Sequence, residues 1–252
     1  MHKLKIAISQ FPVSENIQRN EAYITKHIIK AAKSRADVIH FPETALTGYE
    51  ATAQSLDWTL LAQSLERIKL LAKKFKIYIV LGLHHRTSTN LKPFDCTYLI
   101  SKNGEIEGKY FKANLYKNEK DRFSAKSNFL IKSINGVKCG FLICYDSCFP
   151  ELFQHYRQKG VKIIFLSYYN AKSTHDKNSM DELMRAQFIT RATDNLMYIS
   201  GSNSSAKYSR MPSSIVSPDG KITSLKRHKP GVLFYDYPAK TLGWTFNNSS
   251  KK

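Results

Sequence analysis

Leu4, Ile6 and Ile8 alternate with Lys5 and Ala7 near the start of the chain, and this period of two predicts a first strand over residues 1–10. The spacing then lengthens. Tyr23, Ile24, His27, Ile28 and Ala31 recur at helical intervals, predicting an amphipathic helix through Arg35 with Ser14 or Asn16 as its cap. Ala36 to Phe41 reads as a short, mostly buried strand stopped by Pro42, and Glu43 to Glu50 as a polar loop. Leu60, Leu61, Leu65, Ile68 and Leu71 predict a second amphipathic helix from Ser55 to Phe75, and Ile77–Leu83 a further strand. This βαβαβ alternation predicts helices packed on a sheet that contains parallel strands.

The middle of the chain changes character. Phe94–Ser101 and Glu105–Lys112 alternate on either side of Asn103-Gly104, and Asn128–Ile134 and Val137–Ile143 flank Asn135-Gly136. Asn-Gly between alternating runs is a strong hairpin signal. Another strand–helix pair follows at Lys162–Ser167 and about Met180–Asn195. The remaining strands are expected at Leu196–Gly201, Ser213–Val216, Lys221–Leu225 and Gly231–Tyr235, with a turn at Pro218-Asp219-Gly220, and residues from Asn247 to Lys252 read as a frayed end. The expected outcome is one α/β domain over residues 1–252.

Composition narrows this picture. Hydrophobic residues make up 42% of the 252 positions, enough for a substantial core, and no linker or repeat interrupts them. The N-terminus alternates, unlike a signal peptide, and the longest apolar runs, Ile77–Leu83 and Ile163–Tyr169, fall short of a membrane span. A cytoplasmic protein is expected. Its four cysteines include no C-x-x-C pair, so neither a disulfide framework, a zinc site nor another cofactor is expected. The formal charge of +19 raises the question of a nucleic-acid or anionic-membrane partner. Yet the basic residues are dispersed, with only short clusters such as Lys226-Arg227-His228-Lys229, and no nucleic-acid module accompanies them. A solvated basic surface is the preferred reading.

Candidate chemistry centres on Gly140-Phe-Leu-Ile-Cys144-Tyr-Asp-Ser-Cys148-Phe-Pro-Glu151. A predicted strand runs into Cys144, and Asp146 and Ser147 as cap residues, with Pro150 and Glu151 in the first turn, predict a helix start after it. A thiol on such a turn faces backbone N–H groups, which would lower its pKa and stabilise an oxyanion. A buried packing cysteine fits the same stretch, so both readings stay open here. Three other groups follow predicted strands or lie in nearby loops. Glu43 could act as a general base if burial raises its pKa, or be a plain loop acid. Lys112 ends a hairpin strand, and Glu119 sits in Lys117-Asn-Glu-Lys-Asp-Arg-Phe123; each is equally a surface charge by itself. GxSxG, P-loop and dinucleotide-binding signatures are absent.

Taken together, Phe41-Pro-Glu43 with Leu46 and Gly48-Tyr49, Tyr110-x-Lys112 with Leu115, and Cys144-Tyr-Asp-x-x-Phe-Pro-Glu151 resemble the nitrilase superfamily of carbon–nitrogen hydrolases. Glu119 with Phe123, Arg191-Ala192-x-Asp194-Asn195-x-x-Tyr198 and Ser213 to Gly220 extend the resemblance over nearly the whole chain. Two departures are Cys148, where the family usually has arginine, and Asp194, where it usually has glutamate. The resemblance implies a four-layer αββα sandwich, commonly dimerised, with Glu43, Lys112 and Cys144 as catalytic residues. It further implies cleavage of a non-peptide carbon–nitrogen bond of a small amide through a cysteine thioester, releasing ammonia or an amine and a carboxylic acid. Glu119 and the backbone N–H of Tyr145 would support the chemistry. Tyr49, His84, His85, Tyr145, Tyr168, Tyr169 and Asn170 are expected by position to wall the pocket, with no metal. Nitrile hydrolysis or acyl transfer at the same cysteine is the alternative, and an inactive binding protein with a basic surface for an acidic partner is the alternative of another class.

Overall fold

The computed structural model describes residues 3–87, 92–171 and 180–238. Strand β1 (Leu4–Gln10), helix α1 (Ile17–Lys33), β2 (Val38–His40), α2 (Trp58–Phe75), β3 (Tyr78–His85), β4 (Phe94–Ile100) and β5 (Ile106–Phe111) form the first half. The short helix α3 (Glu119–Arg122), β6 (Ile131–Ile134), β7 (Val137–Ile143), α4 (Pro150–Gln158), β8 (Ile163–Ser167), α5 (Met180–Asn195), β9 (Tyr198–Ser202), β10 (Ser214–Val216), β11 (Ile222–Ser224) and β12 (Gly231–Tyr237) follow. They make two six-stranded sheets, ordered β12-β1-β2-β3-β4-β5 and β11-β10-β9-β8-β7-β6. The centre of each sheet is parallel, β1-β2-β3 in one and β7-β8-β9 in the other, and the flanking pairs are antiparallel. With helices on the outer faces, the architecture is an αββα sandwich.

Local chemistry sets the element ends. Asn16 caps α1 by accepting from the Arg19 N–H, while Ser14 is tied to Asn20 instead. Helix α2 starts at Trp58 rather than Ser55, because Asp57 takes the cap through the Leu60 N–H and Thr52 and Ser55 bond each other in a preceding turn. The segment after β2, expected as a polar loop, is buried from Glu43 to Gly48. Gly82 explains how it gets there: a Cβ on Gly82 would lie 2.2 Å from the Pro42 carbonyl oxygen and 2.7 Å from the Thr44 nitrogen. Only a glycine lets this backbone lie directly on β3.

The layer between the sheets is apolar where Leu4, Ile6, Val38, Val80 and Leu99 meet Phe141, Ile143 and Phe165. Towards the C-terminal ends of the parallel strands it turns polar. His40 bonds Ser200 through Nδ1 at 2.9 Å and Ser167 through Nε2 at 3.0 Å. The Ser167 hydroxyl donates to the Phe41 carbonyl, so it accepts from Nε2–H, and Nδ1 accepts from Ser200. Burial lowers the His40 pKa to about 3, in keeping with a neutral ring. Ser202 adds a hydrogen bond across the layer to the Ser9 carbonyl. These bonds fasten the end of β2, three residues before Glu43, to β8, whose Ser167 pairs with Ile143.

Candidate active site

Lys112 is fully buried at the end of β5, and its ammonium group sits among three carboxylates. Nζ lies 2.6 Å from Glu43 Oε1, 2.7 Å from Glu119 Oε1 and 3.5 Å from Asp95 Oδ2. Glu43 arrives from β2, Glu119 from α3, and Asp95 from β4 as the cross-strand neighbour of Lys112, whose N–H bonds the Asp95 carbonyl. Cys144 completes the cluster from the second sheet. Its Sγ donates to the Tyr169 carbonyl oxygen at 3.8 Å, and Glu43 Oε2 accepts from the Tyr169 N–H at 2.6 Å. Thiol and carboxylate thus share one residue as their anchor. The three acids lie within 4.8 Å of one another, close enough to hold a metal ion, but the Lys112 ammonium occupies that place.

The backbone at the thiol is strained. Cys144 has φ +43°, a left-handed conformation that non-glycine residues rarely adopt. Asp146 secures it: its carboxylate accepts from the Ile143 N–H, the Tyr110 hydroxyl, and the N–H and side-chain amide of Asn114. This corrects the expected cap at Asp146 or Ser147. Cys144–Cys148 is a 3-10 turn, and α4 begins only at Pro150 with Phe149 at its N-cap position. The Asp146 carboxylate bonds backwards to β7 and across to β5, and is not available for the N–H groups ahead of it.

A family model for carbon-nitrogen hydrolases matches residues 5–244. The chain belongs to that family. The 2-oxoglutaramate amidase of Bacillus subtilis is 29% identical over 238 residues, covering 91% of this chain and 87% of that protein. The citrullinase of Francisella tularensis is 28% identical over 217 residues, covering 81% and 74%. Among solved structures, a mutant of the amidase from Nesterenkonia sp. AN1 in complex with butyramide superposes with a TM-score of 0.80 at 22% identity, covering 93% of this chain and 91% of that one. The likeness to that structure is one of fold. The family match makes this chain an enzyme of the nitrilase superfamily.

Electrostatics in this carbon-nitrogen hydrolase differ from the expected lowered thiol pKa. Burial, with the charges of Glu43 and Glu119, pushes the Cys144 thiol well up, and Lys112 only partly opposes them. Among the described residues no α-helix begins at the sulfur to compensate, α4 starting only at Pro150. Burial likewise raises Glu43 well above the usual carboxylate range, against the pull of Lys112. Burial works against the charge of Lys112, but Glu43 and the other acids around it outweigh this and hold it above its ordinary value.

The remaining expected residues divide into two groups. Tyr49 and Tyr169 stand at the cluster: the Tyr49 hydroxyl donates to Glu119 Oε1 at 2.6 Å, and the two rings stack at 4.7 Å. Tyr145 follows Cys144 directly, and its ring packs on Tyr116 and Phe149, which with Lys117 and Lys120 line a cleft of about 730 Å³. Asn170 is half-buried and accepts from Asn203 and the Arg210 N–H. Three residues serve packing. Tyr168 is buried against Phe188 with its hydroxyl on the Pro212 carbonyl. His84 bonds Thr47 and stacks on Phe123, and His85 bonds the Tyr98 hydroxyl. Cys148 is exposed and makes no disulfide. Sequence reasoning missed Asp95, although an acid in the otherwise uncharged strand Phe94-Asp-Cys-Thr-Tyr-Leu-Ile100 was a visible signal. It also missed Asp146 as a brace and Gly82 as a seat for Glu43.

Proposed function

We propose that this enzyme hydrolyses the carbon–nitrogen bond of a small amide, with Cys144 as nucleophile, Glu43 as proton carrier and Lys112 as oxyanion partner. The observation that carries this reading is the convergence, at the backbone of the one residue Tyr169, of a half-buried thiol and a buried carboxylate that is itself 2.6 Å from a buried ammonium. The thiol proton passes to Glu43 as sulfur bonds to the carbonyl carbon. The ammonium of Lys112 and the Tyr145 N–H receive the developing oxyanion. Collapse breaks the carbon–nitrogen bond while Glu43 protonates the departing amine. Water then loses a proton to Glu43 and adds to the thioester, and the carbon–sulfur bond breaks to release the acid and restore the thiol. Glu119, bonded by Tyr49, Tyr116 and Lys112, keeps the ammonium in place.

The named relatives set the substrate panel: simple aliphatic amides, ω-amides of dicarboxylic acids and ureido acids, assayed for ammonia. Cys144→Ala and Glu43→Gln are expected to abolish release, and Lys112→Ala to lower it by about 10² to 10³ or more. An acyl-enzyme mass on Cys144 is expected when hydrolysis is slowed. Turnover that survives Cys144→Ala overturns the mechanism, and consumption of a nitrile or an acylated acceptor in place of free acid overturns the amidase assignment. A homodimer, the common assembly of the superfamily, is the proposed solution state, checked by sedimentation.

A further inference from the structure

The buried cluster holds three carboxylates and one ammonium, which leaves two uncompensated negative charges if every acid is ionised. The interior does not tolerate this without compensation, because an unpaired buried charge costs several kcal/mol and neutralises by taking a proton. The hydrogen bonds identify which acid does so. Glu43 accepts at both oxygens, from Lys112 and from the Tyr169 N–H. Glu119 accepts from Lys112, the Tyr49 hydroxyl and the Tyr116 N–H. Each has the donors an ionised carboxylate needs. Asp95 accepts none: it is fully buried, neither of its oxygens takes a hydrogen bond from a donor among the described residues, and its carboxyl faces that of Glu43 instead, an acceptor for a proton held on Asp95. Lys112 approaches Asp95 only to 3.5 Å, two of its three donors being directed at the two glutamates.

We propose that Asp95 is a positioning residue that carries the cluster's resident proton at neutral pH, so that Glu43 is left ionised against Lys112 and able to receive the Cys144 proton. The groups that face it support this assignment. Lys112 is its cross-strand neighbour on the β5 side, His84 is its register partner on β3, and Glu43 and Glu119 close the other sides. The His84 ring is neutral, its pKa lowered by burial to about 3, so it adds no compensating charge. Tyr110, on β5, has its hydroxyl on Asp146 and is not a donor to Asp95. Burial raises both the Asp95 and the Glu43 carboxyls, with Lys112 opposing in each case, and an Asp95 that holds its proton removes one of the charges that push Glu43 up. As a neutral acid, Asp95 lowers the negative field on both Glu43 and the thiol. Its ionisation would suppress formation of the thiolate.

The infrared part of the test does not depend on turnover. The resting enzyme at pH 7 is expected to show the carbonyl stretch of a protonated carboxylic acid, shifted when aspartate is labelled with carbon-13 at the side-chain carboxyl and missing in Asp95→Asn. No such band, a band that ignores the aspartate label, or one lost in Glu43→Gln but kept in Asp95→Asn would overturn the assignment. The labelled wild-type protein separates aspartate from glutamate even if the variant fails to fold. The kinetic part rests on the amide-hydrolase reading. Asp95→Asn, fixed in the neutral form, is expected to move the alkaline limb of kcat/KM up by about one pH unit, a roughly tenfold gain on that limb relative to its own value at pH 7. A loss by the same factor at every pH would mean a merely structural role and would overturn the positioning claim. If no amide is turned over, the proposed function fails, while the infrared result still decides the proton on Asp95.

Discussion

Replacing Lys112 with methionine removes the cation from a fully buried cluster while keeping most of the side-chain volume. Glu43 and Glu119 lose the ammonium at 2.6 and 2.7 Å, although each keeps at least one other donor, Tyr169 for the first and Tyr49 and Tyr116 for the second. Breaking a buried ion pair on one side costs about 3–5 kcal/mol when the partner stays charged. The partner need not stay charged, and this gives the prediction its sign. In the variant, Glu43 has a folded-state pKa raised further above the unfolded value, because burial now acts without Lys112 to oppose it. A raised acid binds more protons folded than unfolded, so stability falls as pH rises through the window above 4.5 and recovers as pH drops. Each proton taken up changes stability by about 1.4 kcal/mol per pH unit. Urea unfolding of wild type and Lys112→Met at pH 6, 7 and 8 is expected to show a deficit of about 3–5 kcal/mol at pH 8 that shrinks by at least 1 kcal/mol at pH 6. Adding Glu43→Gln should recover part of the pH 8 deficit, since it removes one of the orphaned charges. A variant as stable as wild type at pH 8, or a deficit independent of pH, would refute the reasoning.

Cys144→Gly and Cys144→Ala should both be inactive, but the glycine variant should be more stable by about 1 kcal/mol in urea unfolding, because alanine keeps the strain of φ +43°; equal stability would count against strain at the nucleophile. Gly82→Ala should lose about 10²-fold in kcat and about 1–3 kcal/mol of stability, since its Cβ meets the Pro42 and Thr44 backbone and displaces Glu43; wild-type kcat in that variant would break the link. Burial lowers His27 to about 4 and His40 and His84 to about 3. Their depressed folded values mean that the unfolded chain binds more protons below 6.5, so stability should fall with pH from 6.5 downwards, by about 1 kcal/mol for each histidine between pH 7 and 5.5. Urea unfolding across that range checks it, with His84→Gln expected to give a shallower slope than wild type and an equal slope refuting the assignment.

The order and type of nearly every element were legible, because alternation and helical spacing report which face of a segment is buried. Element ends were less so. Asp57 displaced the start of α2 from Ser55, and the three-dimensional role of Asp146 displaced the start of α4, two cases in which a good cap residue was present but only one served as a cap. The short helix α3, which delivers Glu119, carries no periodic signal at four residues. Glu43, Lys112 and Cys144 could be nominated from their positions beside strands and from the family resemblance. Asp95 was missed because its meaning depends on parity: Asp95, Thr97 and Leu99 share one face of β4, and Leu99 belongs to the layer between the sheets. That face is identified only once Lys112 is known to lie across from it.

The thiol is where the structure changes the chemistry most. A cysteine at a helix N-terminus beside a lysine would stand as a thiolate, ready for any electrophile and any oxidant. Here burial and two acids push the thiol up, so that on the proposed mechanism the sulfur keeps its proton until attack. Glu43, although raised by burial, is the group best placed to take it, since it shares Tyr169 as a backbone partner with the sulfur and is bonded to Lys112. Proton transfer and attack are then expected to proceed together, and only when a carbonyl oxygen draws the positive field of Lys112 towards itself. A small substrate change that misplaces that oxygen should therefore lower acylation more than binding. Selectivity in such a site would come from the alignment of the scissile carbonyl with Lys112 and the Tyr145 N–H, ahead of any affinity supplied by the pocket walls.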